Sequence, residues 1–247
     1  MPESTRRRLD HVVHAVRDLD ATAYRYRELG FTVTDRSDHP FGTSNRLVVL
    51  DRSYLEIVAL TDERSVPTDG FPATVHRFLE GRGEGVPFLA FRTDAAAADH
   101  ATLSRMGLAS GEVLSFSRTA TLADGRKGEA RFSCVFTPGF SELGIFLCQH
   151  HTPEMVWDPG RPAHPNGATR IEQVRCDGGR GVEVGRLLQA ITGAQGEQAD
   201  GDTRFRLDGA DLVLTGGGDG PSVRELRFGD GDEVEVGGIR LRLPSLP

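Results

Sequence analysis

The chain has 247 residues, 38% hydrophobic and 26% charged, which allows one large domain or two small ones with a buried core. A net charge of −7 argues against nonspecific binding to nucleic acid or to anionic membranes. Lys127 is the only lysine beside 28 arginines, a bias that fits the codon usage of a high-GC genome and needs no functional reading. With 30 glycines and 13 prolines, many short elements joined by tight turns are expected.

The first residues, Met1 to Arg8, are polar and basic with no apolar stretch behind them, and no apolar run approaches the roughly 20 residues of a membrane span. Cys134, Cys148 and Cys176 are odd in number, widely spaced and set among apolar residues, which suits reduced core thiols. A cytoplasmic, bacterial protein is expected.

Leu9 to Val16 reads as a strand, and Asp18 or Asp20 can cap a helix running to about Glu28. Leu29-Gly30 stops it through a left-handed C-cap. Phe31 to Thr34, Asn45 to Leu50 and Tyr54 to Leu60 are predicted as strands, giving the order β-α-β-β-β. Such a unit exposes a full sheet face and needs a partner. A repeat supplies one. Gly107 closes a second helix 77 residues after Gly30, and the gapless alignment sets Phe88, inside the strand-like Pro87 to Phe91, on His11. Glu112 to Ser117, Glu129 to Phe136 and Leu143 to Cys148 complete that unit. A fainter third copy has its helix at Val182 to Ile191, stopped by Gly193, and the same count lands on Val174 within Arg170 to Cys176. The hairpin Thr203 to Leu214 follows, then two or three short strands from Val223 to Leu243.

The expected fold class is α+β: paired βαβββ modules forming curled mixed sheets around a cup, with a third, partial βαβ-type module at the C-terminus. The first module spans 8–62, a connecting segment with a short helix (Ala73 to Glu80) 63–84, and the second module 85–150. A proline-rich linker follows over 151–167, and the β-rich partial third module covers 168–247.

Leu9-Asp10-His11-Val12-Val13 with Asp18-Leu19-Asp20, then Leu29-Gly30-Phe31 and Tyr54-Leu55-Glu56-Ile57, resembles the glyoxalase-like branch of the vicinal oxygen chelate superfamily. Phe146 to Glu154 and His164-Pro165-Asn166-Gly167-Ala168 look like the same branch. The resemblance implies a cup between two modules in which a substrate chelates a divalent metal. It implies no single reaction, since the superfamily holds isomerases, dioxygenases, epimerases, transferases and metal-free sequestering proteins.

Carried over by position, His11 and Glu56 are the implied metal ligands, on the first and fourth strands of the first module. Imidazole with carboxylate suits Zn, Fe, Mn, Ni or Co. The bland alternative is a histidine hydrogen-bonded to a carboxylate for structure. The second module departs from the pattern: His11 aligns with Phe88, and Leu143 to Cys148 contains no carboxylate. In the third unit Val174 and Val213 take the positions of His11 and Glu56. The missing ligands could come from Gln149, His150, His151 or Glu154, with His150 the first choice, and Glu56 could double as general base. Phe88, Phe91, Gln149, His151 and Trp157 are candidate substrate contacts. His14 reads as a satisfied interface histidine, and His39, His76 and His100 as surface residues. The runs Gly81 to Gly85, Gly139 to Leu143 and Gly216 to Gly220 match no nucleotide or nucleophile motif.

Two functions follow. One is a divalent-metal-dependent enzyme of lyase, isomerase or dioxygenase type acting on a small oxygen-bearing substrate. The other is a metal-free small-molecule-binding or resistance-type protein using the same cup. The expected partner is a small-molecule ligand, with no nucleic acid and no membrane, and a homodimer is possible.

Overall fold

Apolar and β-branched side chains on both faces make Leu9–Ala15 (β1) a strand buried along its whole length. Asp18 then caps the helix Leu19–Glu28 (α1) by accepting from the backbone N–H groups of Asp20 and Ala21. Gly30 ends the turn at φ +79°, and a Cβ there would lie 2.9 Å from Asn166 Cβ. Asn166 approaches that closely because it seals the helix end, donating from N to the Gly30 carbonyl and from Nδ2 to that of Leu29. The computed structural model describes residues 6–245 apart from 63, 65, 141, 179, 180, 218 and 219, so Ser141, Gly218 and Asp219 of the glycine-rich runs lie outside the described residues.

The first module continues with Ser37–Asp38 (β2), Thr43–Val49 (β3) and Tyr54–Leu60 (β4). The strand expected at Phe31 to Thr34 is absent: Thr32 N donates to His164 Nδ1 of the linker, Thr34 N alone reaches the Leu47 carbonyl of β3, and ladder pairing starts only at Ser37. The helix Gly70–Arg82 (α2) leads to Gly85–Arg92 (β5), Ala96–Arg105 (α3), Leu114–Thr121 (β6), Lys127–Phe136 (β7) and Gly144–His150 (β8). These strands form one eight-stranded sheet in the order β2-β3-β4-β1-β5-β8-β7-β6. β1 and β5 run antiparallel at its centre with Val12 opposite Leu89, which confirms the 77-residue offset between the modules. The edges β2 and β6 approach each other, where Ser37 Oγ donates to the Thr119 carbonyl at 2.6 Å and nearly closes the curl.

The C-terminal region is fuller than its sequence suggested. Gln173–Gly178 (β9), Gly181–Thr192 (α4), Gly196–Ala199 (β10), Asp202–Arg206 (β11) and Asp211–Thr215 (β12) make a complete third βαβββ unit. β10 escaped prediction because Gly-Glu-Gln-Ala has no apolar alternation and is exposed throughout. Pro221–Arg227 (β13), Glu233–Val236 (β14) and Ile239–Arg242 (β15) add a helix-less partner, and the second sheet runs β10-β11-β12-β9-β13-β15-β14. Among the described residues no helix is long and apolar enough to cross a membrane.

One core lies between the helix-bearing faces of the two sheets and joins Val12, Leu55, Leu89 and Phe91 to Val174, Leu212, Leu226 and Leu241. A second core, with Val13, Tyr54, Phe88, Phe146 and Cys148, fills the concave face of the first sheet. Val174 therefore corresponds to Val12, and Gln173 is the concave-side counterpart of His11, one residue before the gapless count. Val213 keeps its match to Glu56, since Val213 faces Arg175 as Glu56 faces Val13.

The β14–β15 turn docks on the first sheet through His14. His14 Nε2–H donates to the Gly237 carbonyl at 2.7 Å, and Tyr26 Oη donates to Nδ1 at 3.0 Å. Gly238, at φ +74°, lies so close to the Glu84 carbonyl that a Cβ would overlap it. Gly238→Ala is expected to cost about 2–3 kcal/mol from clash and backbone strain together, read as a lower urea midpoint. Burial drives the His14 pKa from 6.5 down to about 4. Between those values the unfolded chain binds a proton that the folded chain refuses. Stability is thus full above pH 6.5 and falls as the pH drops toward 4, at up to about 1.4 kcal/mol per unit from this one group. Urea melts at pH 7 and pH 4.5 check this, with His14→Gln removing part of the difference.

Candidate functional site

The β1–β5 register slips by one residue between Leu9 and His11, leaving Asp10 in a β-bulge beside His11. Asp10 is fully buried, and three donors converge on it. His11 Nδ1–H reaches Oδ2 at 2.7 Å, His150 Nε2–H reaches the same oxygen at 2.8 Å, and Arg92 Nη1 reaches Oδ1 at 3.2 Å. Burial alone would raise the Asp10 pKa, but the His150 charge and the two imidazole hydrogen bonds outweigh it and hold the carboxyl well below its usual range. Burial works against His150 as a cation, yet the Asp10 carboxylate prevails and raises its pKa. The buried His150–Asp10 pair is thus biased toward the charged histidine, and among the described residues His150 Nδ1 has no partner at hydrogen-bond geometry.

With Nδ1 on Asp10, His11 turns Nε2 to the concave side, 3.7 Å from Glu56 Oε2. Tyr54 stacks on the His11 ring at 4.4 Å and fixes its plane. The other Glu56 oxygen accepts from Asn45 Nδ2 at 2.6 Å and lies 3.5 Å from His39 Nε2. Burial lowers the His39 pKa to about 4, so this ring is neutral at pH 7. His39 is thus a buried member of the cup, 8% exposed, and not the surface residue its loop context suggested. It was missed because its position depends on the β2–β3 turn folding over the cup.

These groups floor a narrow cavity of about 40 Å³. Its walls are aromatic: Phe41, Phe71, Phe116, Phe132, Phe136 and Phe146. Cys148 also lines it; its thiol is pushed well above its ordinary pKa, first by the hydrogen bond from Cys134 and then by burial. It stands there as a neutral group.

Residues 9–192 match the glyoxalase-like domain family. The chain belongs to that family. Among solved structures this glyoxalase-like chain is similar to a hypothetical protein from Staphylococcus aureus, 15% identical with a TM-score of 0.68, over 94% of this chain and 97% of that one. It is also similar to a mutant 4-hydroxymandelate synthase from Streptomyces coelicolor, 15% identical with a TM-score of 0.57, over 92% of this chain and 72% of that one. At such identities the likeness concerns the fold. No curated protein matches the chain.

Several predicted site residues of this glyoxalase-like chain meet and others do not. His11 and Glu56 come together in the cup, and His150 joins His11 through Asp10. Phe88 lies on the concave side, stacked on Phe71. Phe91 is in the helix-side core and faces away, because successive strand residues alternate. The same alternation sends Gln149 to the start of α3, where Oε1 accepts from Ala96 N and Nε2 donates to the Asp94 carbonyl. His151 is exposed and hydrogen-bonds Ser133 Oγ outside the cavity. Trp157 packs against Tyr54 and His150 and donates to the Leu50 carbonyl, outside the cavity lining. His164 and Asn166 serve the linker, with His164 Nε2–H donating to the Val49 carbonyl.

The strand registers place Phe146 where the second module would mirror Glu56, just as Phe88 mirrors His11. One module supplies the polar floor and the other an aromatic wall. The polar floor still fits a metal. Two ligands about 2 Å from one ion stand roughly 3–4 Å apart, as His11 Nε2 and Glu56 Oε2 do. The ligand atoms of Asp10, His11, Cys148 and His150 also lie within 4.8 Å of one another, a second group able to hold an ion.

Proposed function

We propose that this glyoxalase-like chain is a divalent-metal-dependent enzyme acting on a small oxygen-bearing substrate, with the reaction of lyase, isomerase or dioxygenase type. The observation that carries this reading is His11 Nε2 facing Glu56 Oε2 at 3.7 Å on the cup floor, with Nδ1 clamped by a buried carboxylate. A neutral imidazole nitrogen facing a carboxylate offers a cation two ligands. His11 and Glu56 would hold it from the cup side, where a substrate can reach it, and Zn, Fe, Mn, Ni or Co all suit these donors.

A metal bound there supplies Lewis-acid polarisation of neighbouring substrate oxygens. Asn45 keeps one Glu56 oxygen fixed, so the other faces the metal position and would accept a substrate proton only once substrate displaces it from there. The aromatic wall excludes water and orients an apolar body above the floor. Asp10 acts through His11 as a positioning residue.

A second reading, a metal-free binding protein, is favoured by Phe88 and Phe146 at the mirror positions of the ligands. Elemental analysis after exposure to Zn, Fe and Mn and desalting separates the two. Near one metal per chain supports the enzyme; no metal under any condition supports the binding protein.

A further inference from the structure

Arg118, on β6, lines the cup and is 8% exposed. Buried arginines are ordinarily paired with carboxylates, because taking an unpaired charge out of water is costly. Arg118 has no such pair: among the described residues no carboxylate lies within ion-pair distance of it. Among the described residues its one side-chain hydrogen bond runs from Nη1 to Ser37 Oγ at 3.0 Å, and its guanidinium lies over the Phe132 ring at 5.6 Å. Burial lowers its pKa, with Tyr54 and Glu56 opposing the shift from a distance. Glu56 is the acid of the cup, but its Oε1 is held by Asn45 and its Oε2 faces His11. Arg118 lines both the cup and the open cleft beside β2, β6 and β7.

Around this cation the walls are rings. Phe41, Phe116 and Phe132 form a continuous edge-and-stack series, with Phe41 meeting Phe116 at 5.1 Å and Phe116 stacked on Phe132 at 5.2 Å. Ring walls of this kind favour a flat apolar body. An arginine fork at one end matches the planar geometry of a carboxylate, which would supply the missing counter-charge.

We propose that Arg118 is the anion anchor of the cup, and that the ligand class is a small carboxylate carried on an aromatic or similarly flat apolar body. This rests on the reading of the cup as the small-molecule site and adds the chemistry of its occupant. A metal on His11 and Glu56 would leave the floor more positive and strengthen the same preference.

Matched probes test it by calorimetry: phenylacetate, its neutral isostere phenylacetamide, and acetate, which lacks the ring. Phenylacetate is expected to bind at least tenfold more tightly than either of the others. In Arg118→Gln the acid and the amide should bind alike, and Arg118→Lys should keep part of the preference, since it retains charge without the fork. Thermal melts confirm that both variants fold. Equal binding of acid and amide by the wild type overturns the anchor while leaving the cup as a binding site. So does a preference that survives in Arg118→Gln. If none of the probes binds, the proposed ligand class is wrong, and the metal titration alone then decides the reading of the cup.

Discussion

Asp10→Ala is expected to destabilise the chain by about 3–5 kcal/mol, the range for removing one partner from a buried charge network. The carboxylate is fully buried and takes hydrogen bonds from His11, His150 and Arg92, so its loss strands the buried His150 and leaves Arg92 with its 3.6 Å contact to the exposed Asp94 and its place over the Trp157 ring. Asp10→Asn retains an acceptor for His11 and should cost less. It should still weaken metal binding by about 10–100-fold, the usual effect of losing an outer carboxylate behind a ligating histidine. Urea denaturation and metal titration on the same two variants read both effects. Wild-type stability in Asp10→Ala would show that the three donors do not depend on it.

The second large effect belongs to the cup floor itself. His11→Ala and Glu56→Gln should each reduce metal affinity by at least 100-fold, because each removes one of the two ligands that face each other across 3.7 Å. Neither should unfold the chain, since the Asp10 pair with His150 stays intact in both. Phe146→Ala is the control: it opens the aromatic wall without touching a ligand, so metal affinity should hold. Titration with Zn or Mn, followed by calorimetry, gives all three values.

The paired modules were legible because their strands and helix stops repeat at a fixed offset, and the β1–β5 register turns that offset into a spatial two-fold. The meeting of His11 with Glu56 followed from resemblance and strand alternation together. What was hidden depended on irregular backbone. Asp10 joins the site through a bulge that no alternation pattern marks, and His39 enters through a turn folded over the cup. Arg118 read as one more arginine among many, since a side chain without an acid partner is visible only once its neighbours are in place. Gln149 and His151 were drawn toward the cup by proximity in sequence to His150, and strand geometry turns both away.

The proposed enzyme requires a metal between His11 and Glu56 on the cup side of Asp10. A cobalt-soaked crystal measured at the cobalt absorption edge tests this directly. One anomalous peak within bonding distance of His11 Nε2 and a Glu56 carboxylate oxygen is expected. A peak held instead by Asp10, Cys148 and His150, or no peak in the cup at all, would contradict it.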